Sequence, residues 1–475
     1  MVRTRFAPSP TGFLHIGGAY QALLDYAWAK KNKGQFILRI EDTDVKRYVS
    51  QAEEVIYQGL RWLGLEPDES PVKGGLYGPY RQSERLAVYK KYALQLVEKG
   101  LAYYCFCSTQ RLEKVREERQ KKGLPPMYDR YCRNLTKKEV EERIKKGEKY
   151  VIRMKIPDGE EIIVPDLIRG KVVFKSEVVD DQVLLKSDGY PTYHLAVVVD
   201  DYLMKITHVI RGEEWLSSAP KHILLYRYFG WRMPVFLHTP TIRDESRKKL
   251  SKRLGHTALG WYQEQGYLPE ALLNFLALLG WSHPQQKEIF DLQEFIKYFD
   301  LKDLSPVGPI FDLKKLEWMN GVYIRKKTDN ELVQLIKPFV LKKMNDSLIK
   351  KTIPLIKERI NKLSDYWGLV DFLVEEPKID INLLISKSRE DKNLIKNQLL
   401  AVISCLEKIK NWQEKKIEEE LRNLADKNKW HRGNFFMALR IVITGKPVTP
   451  PLCPSIAILG RKETIKRIKK LLSFL

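Results

Sequence analysis

A strand-like segment ending at Arg5-Phe6 runs into Ala7-Pro8-Ser9-Pro10-Thr11-Gly12, and His15-Ile16-Gly17-Gly18 then opens an apolar stretch of helical period. The prolines and glycine permit only a turn at this point, so the chain must pass from strand to helix within a few residues. Small residues and a histidine at such a junction let backbone N–H groups and the positive helix end face the phosphates of a nucleotide. The helix is expected over roughly residues 18 to 31, followed by a second strand, Phe36-Ile37-Leu38-Arg39-Ile40. This is a βαβ opening. Its second strand ends in Glu41-Asp42-Thr43-Asp44, which sets carboxylates at the carboxyl edge of the sheet, where open α/β sheets bind ligands.

A second stretch, Lys248-Lys249-Leu250-Ser251-Lys252-Arg253, reads as a basic loop able to close on those phosphates. Between the two, Leu195-Ala196-Val197-Val198-Val199 and Ile206-Thr207-His208-Val209-Ile210 read as further strands, since near-continuous β-branched runs suit a buried parallel sheet. Residues 87 to 186 are charged and mixed in character, so the nucleotide-binding fold is read as split: 1–86, an insertion over 87–186, and 187–255. Beyond the basic loop the pattern turns helical. Leu268-Pro269-Glu270-Ala271 to Leu279-Gly280-Trp281 has proline at a helix start and glycine at its end. From about 329 to 475 the chain is lysine-rich and helical in pattern, with Lys351-Thr352-Ile353-Pro354 and Lys446 to Pro451 as its clearest interruptions.

With 475 residues and 44% hydrophobic content the chain can bury large cores in several domains, which excludes a disordered protein. A net charge of +23 calls for a polyanionic partner or an anionic surface: RNA, DNA or a membrane. No apolar run approaches bilayer length and no secretory core follows Met1, so a cytoplasmic protein without a membrane span is expected. Five cysteines are too few for a disulfide framework, and the cluster Cys105, Cys107 and Cys132 suggests a reduced compartment and a metal. A basic helical arm on a nucleotide-binding domain reads as RNA-binding.

In this order and setting, His15-Ile16-Gly17-Gly18 and Lys249-Leu250-Ser251-Lys252-Arg253 resemble the HIGH and KMSKS signatures of class I aminoacyl-tRNA synthetases, with Gly18 for the second histidine and Leu250 for the methionine. Phe6 to Gly18, Leu38 to Asp44, Asp188 to Ala196, Ile210 to Trp215, Gly266 to Ala271 and Phe311 to Trp318 are similar in register to bacterial glutamyl-tRNA synthetases. Leu439 to Gly445 matches more loosely, and the likeness is weak from about 325 to 435.

The resemblance implies a split Rossmann-type α/β catalytic domain with an α+β insertion, a stem-contact helical domain over 256–328, and an all-α anticodon-binding region over 329–475. It implies ATP-dependent ligation of L-glutamate to tRNA-Glu through a glutamyl-adenylate, with Mg2+ sharing the phosphate charge. His15, Lys249 and Lys252 would be catalytic. Pro8, Thr11, Gly12, His15, Gly17, Gly18, Lys249, Leu250, Ser251, Lys252 and Arg253 would surround ATP. Arg5 and Arg211 would take the two substrate carboxylates, since guanidinium forks match them, Glu41 would take the ammonium, and Ser9, Tyr193 and Trp215 would complete the wall. Cys105, Cys107, Tyr128 and Cys132 resemble a structural zinc site of the family, the alternative being three ordinary buried thiols. Arg440 would read the anticodon. The protein would act as a monomer on tRNA-Glu, with use of tRNA-Gln left open.

Two positions depart from the family pattern: Val197, where an asparagine lines the substrate site, and Tyr20-Gln21, where Arg-Thr follows the glycines. A catalytically idle tRNA-binding paralogue is the alternative that Val197 keeps open, and His15 and the lysines of the basic loop argue against it. A glutaminyl enzyme would carry β-barrels at its C-terminus, and an enzyme glutamylating a modified tRNA base would lack the last 150 or so residues.

Overall fold

The computed structural model describes residues 1–44, 47, 49, 51–250, 255 and 257–475. The chain divides into two compact units, Met1–Tyr262 with Pro269–Leu313, and Gln263–Leu268 with Lys314–Leu475.

In the first unit, β1 (Arg3–Phe6) leads into α1 (Ile16–Lys31) and then β2 (Gln35–Leu38), which pairs with β1 in parallel, Arg5 opposite Ile37. The return from α1 requires Gly34, because a Cβ there would collide with the Val2 carbonyl oxygen. Helices α2 (Ala52–Trp62) and α3 (Leu86–Glu98) follow. An antiparallel sheet then combines β3 (Ala102–Cys105), β4 (Val151–Met154) and a later strand, with α4 (Thr109–Lys121) and α5 (Lys137–Lys145) between the first two. The hairpin of β5 (Glu161–Asp166) and β6 (Gly170–Lys175) precedes β7 (Val183–Leu185), which completes that sheet in the order β3-β4-β7. After α6 (Tyr193–Leu203), β8 (His208–Gly212), α7 (Ala219–Phe229) and β9 (Val235–Thr239), the strand order β6-β5-β9-β8 shows that the hairpin extends the sheet formed by β8 and β9. β8 and β9 run parallel, and the Thr207 N–H donates to Arg3 O at 2.9 Å, which brings β8 beside β1. The chain order reverses at β1, with β2 on one side and β8 on the other. That is the switch point at which α/β sheets open a crevice.

One expectation fails here. Leu195–Val199 is part of α6 and not a strand. Every residue from Leu195 to Asp201 is buried, so the helix shows no polar stripe and its apolar run carries no period by which to tell it from a strand. The expected strand at 206–210 does form, as β8. Strand β2 stops at Leu38, and α1 begins at Ile16, two residues before its expected start.

The helical run after the basic loop contains α8 (Leu259–Glu264) and α9 (Pro269–Ala277), the latter beginning on the expected proline. The second unit is helical among its described residues. Its core joins Leu399, Val402, Leu421, Phe435, Leu439 and Ile468 from helices Lys392–Lys408, Glu414–Lys427, Arg432–Thr444 and Arg461–Leu472. The break expected at Lys351 to Pro354 does not occur, since Pro354 lies in the last turn of helix Asp346–Ile356. A proline there removes one backbone bond close to where the helix ends anyway. The break at Lys446 to Pro451 does separate two helices. Among the described residues no helix is long and apolar enough to cross a membrane.

Candidate active site

A cleft of about 1350 Å³ lies at the carboxyl ends of β1, β2, β8 and β9. Its lining includes Arg5, Ser9, His15, Gly17, Gly18, Glu41, Tyr193, Arg211, Trp215, Lys249 and Leu250. The fold therefore gathers on one wall most of the residues singled out in the sequence. Pro8, Thr11 and Gly12 are not on that wall: the Pro8 carbonyl accepts from Glu41 N–H (3.1 Å) and shapes the turn instead. Ser251, Lys252 and Arg253 lie outside the described residues.

His15 is the N-cap of α1. Its backbone is extended (ψ 151°), and its Nδ1 accepts from the Gly17 N–H at 3.0 Å. A neutral ring held this way carries its proton on Nε2, so capping the helix and donating from the opposite ring nitrogen are compatible roles. The first turn of α1 contains no acidic residue, which leaves its positive end for an anion. The basic loop begins as a hairpin after β9, in which Leu250 N–H donates to Ile242 O (3.0 Å) and Leu250 is buried, while Lys249 lines the cleft.

At the other end of the cleft the charged groups are deeply buried and mutually paired. Arg5 Nε lies 3.1 Å from Asp201 Oδ1, Arg39 Nη1 lies 2.7 Å from the same oxygen, and Arg39 Nη2 lies 3.0 Å from Glu41 Oε1. Asp200, next to Asp201, takes Arg85 Nε (2.7 Å), Tyr89 OH (2.8 Å) and Gln82 Nε2 (3.0 Å). Three guanidinium groups thus meet three carboxylates. Burial raises the Glu41 carboxyl above its ordinary value, opposed by Arg39 and Arg5. Asp201 stays below its ordinary value because Arg5 and Arg39 outweigh the opposing effect of its own burial. Arg5 and Glu41 are each anchored by a different partner, so both are fixed in place facing the cleft.

Arg211, at the end of β8, is held differently. Its Nε donates to His238 Nε2 (3.0 Å), and its Nη1 to Tyr193 OH (3.2 Å) and His222 Nδ1 (3.0 Å); its buried Nη2 has no partner among the described residues. Tyr193 stacks at a tilt on Trp215, with ring centroids 4.2 Å apart. The two departures resolve locally. Val197 is buried in the apolar core and is not on the cleft wall, so it removes no polar contact here. Tyr20 donates to Leu279 O (2.6 Å) and Gln21 Nε2 to Thr239 Oγ1 (2.5 Å), tying α1 to its neighbours.

At the end of β3 and in the segment between it and β4, the Sγ atoms of Cys105, Cys107 and Cys132 lie within 4.8 Å of one another. Tyr128 OH stands 3.3 Å from both Cys105 and Cys107 Sγ. A hydrogen bond from Cys132, opposed by burial, lowers the Cys105 thiol from its ordinary value. Three sulfurs and a phenol oxygen at one point fit a four-coordinate soft metal, and Arg153, whose guanidinium sits 4.0 Å over the Tyr128 ring, helps hold that ring in place. In the second unit Arg440 is half-buried, its Nη1 donating to Thr449 Oγ1 (2.5 Å) and Pro450 O (2.8 Å). It braces the loop between two helices and faces no carboxylate there.

Asp201, Arg39, Asp200, His222 and His238 escaped the reading of the sequence. The adjacent Asp200-Asp201 at the end of an apolar run was the available signal, because buried carboxylates require partners.

These features define an ATP-using class I ligase of the kind that charges tRNA, and the comparisons agree. Residues 1–318 match the family of tRNA synthetases class I (E and Q), catalytic domain, and residues 331–472 match an anticodon binding domain. The chain belongs to the E and Q family of class I tRNA synthetases. It is 44% identical to a glutamate–tRNA ligase of Fusobacterium nucleatum, covering 99% of this chain and 97% of that one, and 46% identical to one of Acidothermus cellulolyticus (99% and 95%). A crystal structure of a glutamate tRNA ligase from Elizabethkingia meningosepticum, in complex with its amino acid, superposes with a TM-score of 0.90 at 38% identity, covering 100% of this chain and 99% of that one.

Proposed function

We propose that this chain ligates L-glutamate to tRNA-Glu. The observation that carries the reading is the one cleft in which Arg5, Arg211 and Glu41 gather at one end and His15 and Lys249 at the other. A dicarboxylate with one ammonium is complementary to two guanidinium groups and one carboxylate. In this reaction the α-carboxylate oxygen attacks the α-phosphorus of ATP and pyrophosphate leaves with the electron pair. The 3′-terminal ribose hydroxyl of the tRNA then attacks the activated carbonyl carbon and releases AMP. The protein's share is positioning and charge neutralisation. Arg5 and Arg211 hold the carboxylates, Glu41 the ammonium, and Ser9, Tyr193 and Trp215 the flanks. The His15 Nε2–H and Lys249, with Lys252 from the same loop, meet the phosphate charge, and Mg2+ enters with ATP.

We assign a structural zinc to Cys105, Cys107, Tyr128 and Cys132, where it would fix the insertion that approaches the tRNA acceptor end. We assign residues 256–328 to contact with the tRNA stem and 329–475, with Arg440, to the anticodon. The protein is read as a cytoplasmic monomer, as suits a net charge of +23 directed at RNA.

The test is aminoacylation of tRNA-Glu and tRNA-Gln transcripts with labelled glutamate and, separately, glutamine. Glutamate charging of tRNA-Glu is expected and glutamine charging is not; labelled tRNA-Gln would extend the substrate range. Tight tRNA binding without any charging would overturn the reading.

A further inference from the structure

The buried arginines that line the cleft or lie behind its wall fall into two kinds. Arg5, Arg39 and Arg85 each lie against a carboxylate. Arg211, only 6% exposed, does not: among the described residues its hydrogen-bond acceptors are two imidazole nitrogens and a phenol oxygen. A guanidinium buried without a countercharge is unfavourable by itself, and an orphaned Nη2 adds to that cost. Such an arrangement makes sense if an anion completes it.

The histidine tautomers follow from their neighbours. Asp166 Oδ2 lies 2.7 Å from His238 Nδ1 and can only accept, so His238 carries its proton on Nδ1 and offers the Nε2 lone pair to Arg211 Nε–H. Asp166 is itself fixed by the backbone N–H groups of His238, Ile168 and Arg169. On the other side Arg211 Nη1 can only donate, so His222 accepts at Nδ1 and carries its proton on Nε2, 3.1 Å from His194 Nδ1. Burial, and after it the charge of Arg211, keeps His222 well below its ordinary value; burial likewise lowers His194 to about 3. Both rings are neutral at physiological pH.

We propose that His222 and His238 are positioning residues for amino-acid recognition: as neutral acceptors they fix Arg211 through Nη1 and Nε without cancelling its charge, leaving Nη2 to meet the side-chain carboxylate of the substrate. A carboxylate at this place, as Asp201 provides for Arg5, would hold the guanidinium equally well and neutralise it. A substrate amide would leave the buried cation uncompensated, so the arrangement favours glutamate over glutamine. The inference rests on the ligase reading given above.

The test is equilibrium titration of the full chain with L-glutamate, L-glutamine and ATP, for wild type, His222→Leu, His222→Asn and His222→Asp. His222→Leu removes the acceptor and is expected to weaken glutamate binding about tenfold or more, since hydrogen bonds to charged groups are the stronger ones. His222→Asn, whose side-chain oxygen can stand where Nδ1 stood, should restore most of that loss. His222→Asp keeps an acceptor but adds a countercharge; it should weaken glutamate and narrow its advantage over glutamine, with ATP binding unmoved in all three. The Asn and Asp variants are matched in size, so that pair carries the test if the leucine variant does not fold. Asp binding glutamate as well as Asn does would overturn the proposal, as would equal losses in every variant together with equal losses of thermal stability. A wild-type chain that neither binds glutamate nor charges tRNA would overturn the ligase reading and this one with it; tight wild-type binding with indifferent variants would overturn this one alone.

Discussion

The two units treat charge in opposite ways. In the first, Arg39 and Asp200 are fully buried, and Arg5, Arg85, Glu41 and Asp201 nearly so, in one connected network. In the second, the pairs Lys416–Glu419, Arg422–Glu418 and Arg432–Asp426 sit on exposed helix faces over an apolar core. The exception there, the buried Arg467, directs its Nη1 to the Ile443 carbonyl, a contact between helices. Buried charge is costly and is useful where geometry must hold to a fraction of an ångström, as for a charged substrate. A helical arm that meets RNA by its surface has no such need.

Several changes would break or sharpen this contrast. The largest effect is expected from Asp201→Ala, which strands Arg5 in the interior, takes one of its carboxylate partners from Arg39 and should cost about 3–5 kcal/mol. Hydrogen exchange should show the loss in β1, β2 and α6 with protection of helix Arg432–Thr444 unchanged; uniform loss would deny that the network is local. In the second unit the equivalent blow is to the apolar core: Leu439→Ala should cost roughly 3 kcal/mol, read by denaturant midpoint, while amino-acid binding stays as in wild type. Cys132→Ser should abolish stoichiometric zinc in metal analysis of the purified protein and slow tRNA charging more than ATP/pyrophosphate exchange. Retained zinc would remove Cys132 from the ligand set.

A smaller effect concerns pH. His194, His208, His222 and His238 are all held below the ordinary 6.5 by burial, and all belong to the first unit; the one described histidine of the second, His431, is exposed. Below about pH 6.5 the unfolded chain takes up protons that the folded one refuses, so stability falls as pH falls, by up to about 1.4 kcal/mol per pH unit for each such histidine. Exchange protection measured between about pH 7 and pH 5 should therefore drop in the first unit and hardly in the second. The smallest effect should come from Glu418→Ala, which removes an exposed partner of Arg422 and should stay within about 0.5 kcal/mol in a urea titration.

Much of this site could be read from the chain. The turn at Pro8 to Gly12 and His15 at the helix start announce themselves because proline and glycine act locally. The cysteine cluster is legible because thiols are rare and their spacing is short. Leu195–Val199 misled because a helix buried on every side loses its period. Pro354 misled because a proline in a last turn breaks nothing. Val197 looked like a loss to the substrate pocket, and its burial in the core shows that a position matched in sequence need not face the pocket.

The sequence by itself determined the βαβ opening, the cysteine cluster, the helical character of the last third and the chemical kind of the groups that line the cleft. All of these depend on neighbours within a few residues or on composition. Only the tertiary structure decided which acid holds which arginine. Arg5 on β1 finds Asp201 on α6 across 196 positions and Arg211 on β8 finds His238 on the neighbouring β9 across 27, because the packing of helix and strands brings together residues that the chain keeps apart. Which guanidinium keeps its charge for a ligand is a property of that three-dimensional pairing, since each charge is set by the groups around it in space and by its distance from water.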